Sequence, residues 1–498
     1  MATIVQYPAR SGRRSELFLL ILAILVGVGA YLSIMVSHPE APQVWYWYCA
    51  AIAVGGIALH VAMRFLAPYA DPVIMPVALA LNGIGLAMIS RLDLYYQQRA
   101  DTTGSIAVRN AMLTQVNNER QVIFMVGSIA VVILTLLVFR DHRSLRKFAW
   151  PSLVVAILLM LSTKIPGLGQ TVNGADISLR ILGFTIQPNE FAKILLAIFF
   201  AGYLEYRRDS LAIAGKKLGF IQLPRWRDLL PILVVWAAVM GLLVLQKDLG
   251  VALLLFAIFV AVLYVATDRP SWIIFGGVLM IPMAVVAYLS FSHVQDRVTN
   301  WLHALDLEVA NPDRIGGSWQ LVNALFGMAY GGLTGTGWGL GRPGQTPLAN
   351  SDFIVSSVAE EIGLTGMLAV MLLYLILVLR GLRAAMGVRD GFGKLLATAL
   401  AFGIGAQLFI VAGGVTRLIP STGLTAPFLA AGGVSSVANW LAVAILLRIS
   451  DSARRPVPSN GTGGFRLTSG GAGDSGDSAG AAGGALDYAA TERVVMPQ

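Results

Sequence analysis

"SDFIVSSVAEEIGLTGMLAVMLLYLILVL", residues 351–379, decides the class of the fold. From Phe353 onward the run is longer than the roughly 20 apolar residues a helix needs to cross a bilayer. Yet its head carries Asp352, Glu360 and Glu361. A carboxylate taken out of water loses roughly several kcal/mol of hydration unless it is paired or protonated. The stretch therefore predicts a membrane-spanning helix whose acidic end lies at a water boundary or against polar partners.

The rest of the chain extends that reading. Of 498 residues, 56% are hydrophobic and 13% charged, with mean hydropathy +0.72; soluble domains carry about 25% charged residues. Apolar runs cover 16–36, 43–67, 72–90, 121–139, 148–163, 188–204, 228–246, 249–267, 271–291, 353–379, 394–413 and 426–448. The class is all-α, a polytopic helical membrane protein with about twelve transmembrane helices. The first run is too long for a cleaved signal peptide, and Ser33 to Val36 offer no small-residue cleavage site. Residues 228–246 and 249–267 are parted only by Lys247 and Asp248, which predicts a tight hairpin or a broken helix.

Net charge is +9. The basic residues sit in short segments between spans, which points to the lipid bilayer as the partner and away from nucleic acid. With the N-terminus inside, two thirds of the 36 Lys and Arg residues fall on the inner side, so both termini are expected in the cytoplasm. The single cysteine, Cys49, excludes an internal disulfide, and the five histidines show no metal-ligand spacing. The tail 451–498 is Gly/Ala/Ser-rich without apolar periodicity and is expected to be disordered.

Three outer segments, 91–120, 164–187 and 292–352, are too long to be mere connectors. The last contains "YGGLTGTGWGLGRPGQTP", residues 330–347, where no strand precedes and no G-K-[ST] follows. A phosphate-loop reading is therefore rejected, and backbone able to fold closely over a ligand remains.

Charged residues gather at the outer ends. Asp352 precedes a helix, and Glu360 lies about two turns further in. Asp248 sits beside Lys247, where local pairing is the simple expectation. Glu190 and Lys193 share one helix face. Arg180, Arg297, Arg314 and Arg342 belong to the outer loops. Asp352 reads either as a helix-capping carboxylate or as a functional one. Glu190 with Lys193 reads either as a structural ion pair or as a site in which Lys193 contacts substrate. Glu360 is expected to meet a partner or a water-filled cavity. Spacing thus predicts an outward-facing polar cavity without naming its chemistry.

At these residues the chain resembles the SEDS family of bacterial membrane proteins (shape, elongation, division and sporulation), which includes RodA-, FtsW- and SpoVE-like proteins. The resemblance rests on "NGA" at 173–175, "IQPNEFAKI" at 186–194, "QKDLG" at 246–250, "GGLTGTGWGLG" at 331–341, "SDFIVSSVAEEIGLTG" at 351–366 and "TGLTAPFLAAGGVSS" at 422–436. It implies a ten-helix core, residues 70–450, preceded by two extra helices within 1–69, and it leans toward the RodA-type elongation branch. It further implies a peptidoglycan glycosyltransferase that polymerises lipid II outside the cytoplasmic membrane. The partner implied is a class B penicillin-binding protein, a transpeptidase, and the product is an undecaprenyl-pyrophosphate-linked glycan.

By that resemblance Asp352, in "SDF", is the catalytic base, kept ionised by the helix N-terminus. Asp248, Glu360 and Glu361 are supporting carboxylates. Lys193, Glu190, Arg180, Arg297 and Lys247 are expected to bind substrate, with Lys193 and Arg180 on the pyrophosphate. No metal site is assigned, though a divalent cation, Mg or Mn, is compatible with the chemistry. Several positions depart from the family pattern. Asp176 and Ser178 replace an Arg and a Trp, Lys247 replaces a Pro, and Ala430, Ala431 and Val434 replace a hydroxyl, an aromatic ring and a second hydroxyl. Two alternatives follow, a lipid II flippase and a non-catalytic scaffold for the transpeptidase. A flippase needs polar groups at the bilayer midplane, whereas those found here lie at the outer ends.

Overall fold

The computed structural model describes residues 12–456, apart from 173–174, 182–183, 213–216, 219–220, 223–225 and 312–316. The tail beyond Pro456, the NGA residues Asn173 and Gly174, and Arg314 lie outside the described residues. The helices are α1 (Arg13–Ser37), α2 (Trp45–Leu66), α3 (Ile74–Thr102), α4 (Ile106–Leu113), α5 (Asn118–Val138), α6 (Ala149–Ser162), α7 (Pro188–Ala212), α8 (Trp226–Leu245), α9 (Leu249–Thr267), α10 (Ser271–Ser290), α11 (Ser292–Leu302), α12 (Trp319–Gly331), α13 (Ile354–Gly387), α14 (Gly391–Val415) and α15 (Gly433–Arg454).

All twelve apolar runs are helices, and ten helices among the described residues are long and apolar enough to cross a membrane. The protein is a polytopic helical membrane protein. Helix α7 is not among the ten: between Lys193 and Glu205 its uncharged stretch is short. In α8 the apolar part is Leu233–Leu245. The last helix continues past residue 450 to Arg454. There Asp451 is buried, accepts from the Tyr69 amide at 2.9 Å, and pairs with Arg455 at 2.7 Å.

The segments read as long loops carry structure of their own. Helix α3 runs on to Thr102 and α4 follows, so 91–120 is largely helical. Residues 164–187 hold a three-stranded antiparallel meander, β1 (Gly169–Val172), β2 (Ala175–Ile181) and β3 (Phe184–Ile186). The alternation in "DISLRI" is too short to stand out beside the apolar runs, which is why it reads as loop.

Helix α3 is the central post, buried throughout its apolar, membrane-spanning part, while α10 is almost wholly exposed at the periphery. Helix α1 packs along α3, with Gly27 meeting Gly83 so closely that a Cβ on either would contact the other's Cα at about 3 Å. The two N-terminal helices share one continuous apolar cluster with the rest of the bundle. At their base Arg13 and His60 both bind Glu16, and Arg13 also donates to the Ala70 carbonyl. At this end of the bundle Asp71 faces Arg380 and Arg454, Asp390 binds His142, and Arg146 pairs with Glu205. The opposite end carries Asp352.

Candidate functional site

Helix α13 does not run unbroken from its acidic head. Gly363 has φ 69° and ψ −178°, a conformation suited to glycine, and splits off a buried segment, Ile354–Ile362, from the long apolar remainder. The break exists because the glycine-rich loop crosses it. A Cβ on Gly335 or Gly363 would overlap the other's backbone. The Leu364 and Thr365 amides donate to the Gly332 and Leu333 carbonyls at 2.9 and 3.1 Å. The Thr336 and Gly337 amides donate to the Glu360 and Glu361 carbonyls.

Glu360 and Glu361 hold that loop from the helix side. Glu360 accepts the Arg342 amide at 2.6 Å and Glu361 the Gly339 amide at 3.0 Å, while Arg91 of α3 lies 3.3 Å from Glu361. Arg91 also donates to the Gly341 carbonyl at 3.0 Å. The buried carboxylates thus meet backbone amides and an arginine. This resolves the cost of placing them inside: both are hydrogen-bonded, as buried charges must be.

Asp352 stands just before the helix. The N-cap of α13 is Phe353, with no side-chain cap, so Asp352 is not the capping carboxylate. It is half-buried, and burial pushes its carboxyl up to about 6, against the pull of Arg297 and a hydrogen bond from Ser351. Burial thus works against the helix N-terminus in setting its proton affinity. The carboxyl remains predominantly ionised at neutral pH.

The capping role belongs to Asp248. Its side chain accepts the Val251 amide at 3.1 Å at the start of α9, and the Asn189 side chain donates to it at 2.9 Å. Burial raises its carboxyl above the usual range, opposed by those two donors and then by Arg297. Asp248 is engaged by Val251 and Asn189, and no ion pair joins it to Lys247 among the described residues, so the expected local pairing is corrected. Lys247 is exposed with φ 60°. A proline, fixed near −65°, could not take that conformation, so the Lys-for-Pro departure goes with a different turn.

Arg297 on α11 lies between the two aspartates, feeling both charges. Its guanidinium donates to the Thr422 and Ser421 carbonyls at 2.7 and 3.3 Å. That segment is the seam of the site. A Cβ on Gly423 would lie 3.7 Å from Arg297 and 3.8 Å from Asp352, and Gly250 of α9 packs against Thr422 and Leu424. The Ala431 amide donates to the Asn350 carbonyl at 2.7 Å. Motifs far apart in the chain (188–193, 246–250, 350–353 and 421–431) are therefore one neighbourhood.

The remaining candidates divide. Lys193 is deep among α7, α14 and α15, donating to Glu190 at 2.6 Å, Gln407 at 2.9 Å and Asn439 at 3.3 Å. Arg180 is exposed on β2. Ser178 is buried on the same strand. Ala430 and Val434 are buried, Ala430 within the main apolar cluster. Asn189, Gln407 and Asn439 went unflagged, although a polar amide within an apolar run was the available signal. Among the described residues no three His, Cys, Asp or Glu side chains could together hold a metal ion. A divalent cation here would need substrate phosphates for most of its ligands.

The comparisons agree with this geometry. A family model described as a cell cycle protein, FtsW/RodA/SpoVE, matches residues 72–455. The chain is 40% identical to a peptidoglycan glycosyltransferase RodA of Mycobacterium tuberculosis, over 90% of this chain and 93% of that one. It is 42% identical to the RodA of Mycobacterium leprae over 91% and 93%. A probable peptidoglycan glycosyltransferase FtsW of Geobacter metallireducens is 31% identical over 76% and 94%. Among solved structures, a peptidoglycan synthase complex that coordinates polymerization and crosslinking aligns with TM-score 0.53 at 22% identity, covering 74% of this chain and 97% of that one. The rod shape determining protein RodA of Thermus thermophilus aligns at 0.50 and 23%, covering 78% and 98%, so the same fold recurs.

Proposed function

The chain belongs to the FtsW/RodA/SpoVE family, and from that premise we propose that it polymerises lipid II with Asp352 as general base. It is a peptidoglycan glycosyltransferase, the activity its relatives' names carry. The observation that bears most weight is Asp352 itself: a half-buried, ionisable carboxylate beside Arg297, at the end of a loop clamped to the helix head.

In the proposed reaction a hydroxyl of the acceptor sugar attacks the anomeric carbon of the donor. The new carbon–oxygen bond forms as the bond to pyrophosphate breaks, and the pyrophosphate leaves with the electron pair. Asp352 takes the hydroxyl proton, a role worth roughly 10²–10⁴-fold in rate. Arg297 holds negative charge close by, and the exposed Lys247 and Arg180 add countercharge for the pyrophosphate. Lys193, with three acceptors around its ammonium, acts by joining helices. Asp248 and Asn189 fix the start of α9 beside Arg297.

The reading places Asp352 on the outer side of the bacterial cytoplasmic membrane, during cell elongation. The arginine-rich opposite end supports that orientation. A class B penicillin-binding protein is the partner proposed, since a solved structure of the same fold belongs to a complex that both polymerises and crosslinks. A flippase would need room for a sugar headgroup through the bundle. The cavity at Lys193 has about 20 Å³, space for about one water, so a headgroup does not fit at that point. Purified protein with its transpeptidase, given lipid II, tests the assignment: glycan strands from the native chain and none from Asp352→Asn are expected. Equal strand formation by both removes Asp352 from the mechanism.

A further inference from the structure

The turn that joins the two N-terminal helices reaches the glycine-rich loop. His38 Nε2 donates to the Gly339 carbonyl at 2.7 Å, and Ser37 Oγ donates to the Trp338 carbonyl at 3.0 Å. Both contacts bridge some of the longest sequence separations in the chain, and both come from residues outside the matched family region 72–455. The residue whose carbonyl His38 grips is also held through its amide: the Gly339 N–H donates to Glu361 at 3.0 Å. Gly339 is thus held from two sides, by α1 and by α13.

The other groups around His38 keep it in place. Its Nδ1 lies 2.8 Å from the Glu40 carboxylate, and Gln98 of α3 donates to that same carboxylate at 3.0 Å. Glu361 is itself paired with Arg91 at 3.3 Å. A carbonyl only accepts, so Nε2 must carry the proton toward Gly339. From Gly339 the chain passes Arg342, whose amide Glu360 accepts, and continues to Asp352. A loop built from glycines has little side-chain packing to fix it, so its hydrogen bonds set its position.

We propose that His38 is a positioning residue for the glycosyl transfer. Through its hydrogen bond to Gly339, the N-terminal helix pair braces the glycine-rich loop that leads on to Asp352. The device rests on the reading of Asp352 as the base, and it acts on rate through geometry alone. Glu40 orients the ring, and among the described residues no hydrogen bond joins it to the loop.

The test uses the full chain with its transpeptidase and lipid II, measuring initial polymerisation rates and melting temperature together. His38→Ala is expected to lower kcat about tenfold with KM for lipid II and the melting temperature unchanged. His38→Gln, which keeps a side-chain donor, recovers most of the loss. Glu40→Gln stays within about twofold of the native rate. Adding His38→Ala to Glu361→Gln costs little more than Glu361→Gln alone, because both act on one residue, Gly339. Native activity in His38→Ala overturns the proposal. So does a drop in melting temperature that tracks the rate and is not reversed by His38→Gln. Asp352→Asn in parallel separates the two readings: an active Asp352→Asn defeats the base assignment, while the His38 series still reports on the brace.

Discussion

Two sets of charge inside this bundle have opposite fates. Lys193 is surrounded by Glu190, Gln407 and Asn439, so each proton of its ammonium has an acceptor. Asp352 has an arginine nearby and a neighbouring serine, and burial has raised its proton affinity. A fully satisfied charge is held in one state and contributes rigidity. An incompletely satisfied one near neutrality can exchange a proton, which is what a general base requires. Lys193 lies within an apolar helix and Asp352 just before one, and in sequence each is a charge beside an apolar run; their surroundings separate them.

The sharpest way to break that contrast is at Lys193. Lys193→Met strands Glu190 without its partner and should cost roughly 3–5 kcal/mol of stability. Glu190→Gln in the same chain should restore much of it, read as melting temperature in detergent. A double variant that folds as well as the native protein yet polymerises nothing would move Lys193 onto the substrate.

Asp352→Asn should lose about two or more orders of magnitude in polymerisation while inserting normally and binding the transpeptidase. Its stability should move the other way. A carboxyl whose folded pKa is raised favours folding most below its unfolded pKa, and that contribution is lost as pH rises through about 6. At pH 7.5 Asp352→Asn should therefore melt slightly above the native protein, with the difference shrinking toward pH 4. A lower melting temperature at pH 7.5 would place Asp352 with Lys193 as a structural charge.

The same titration shapes the rate. Polymerisation should fall as pH drops through about 6, approaching tenfold per unit below it, as Asp352 takes up its proton. A flat profile between pH 5 and 8 would point to another base. The smallest effect is expected at Asp248. Asp248→Asn keeps the cap on α9 and should cost below about 1 kcal/mol. Its rate loss should be well short of that of Asp352→Asn, and a larger loss would exchange the two roles.

The chain alone determined the membrane class, the twelve apolar helices and the cluster of acids at the head of α13, because hydropathy and length act locally and are written along the sequence. Tertiary structure decided the rest. Whether Asp352 or Asp248 caps a helix depends on which amides lie within reach, and the answer was Asp248. Whether Glu361 faces water or a loop depends on Gly335 crossing Gly363, a contact between residues distant in sequence. Arg297 comes to Asp352 only because α11 folds against residues 421–423. Hydrogen-bond satisfaction and desolvation are set by neighbours in space, and one-dimensional spacing does not encode them.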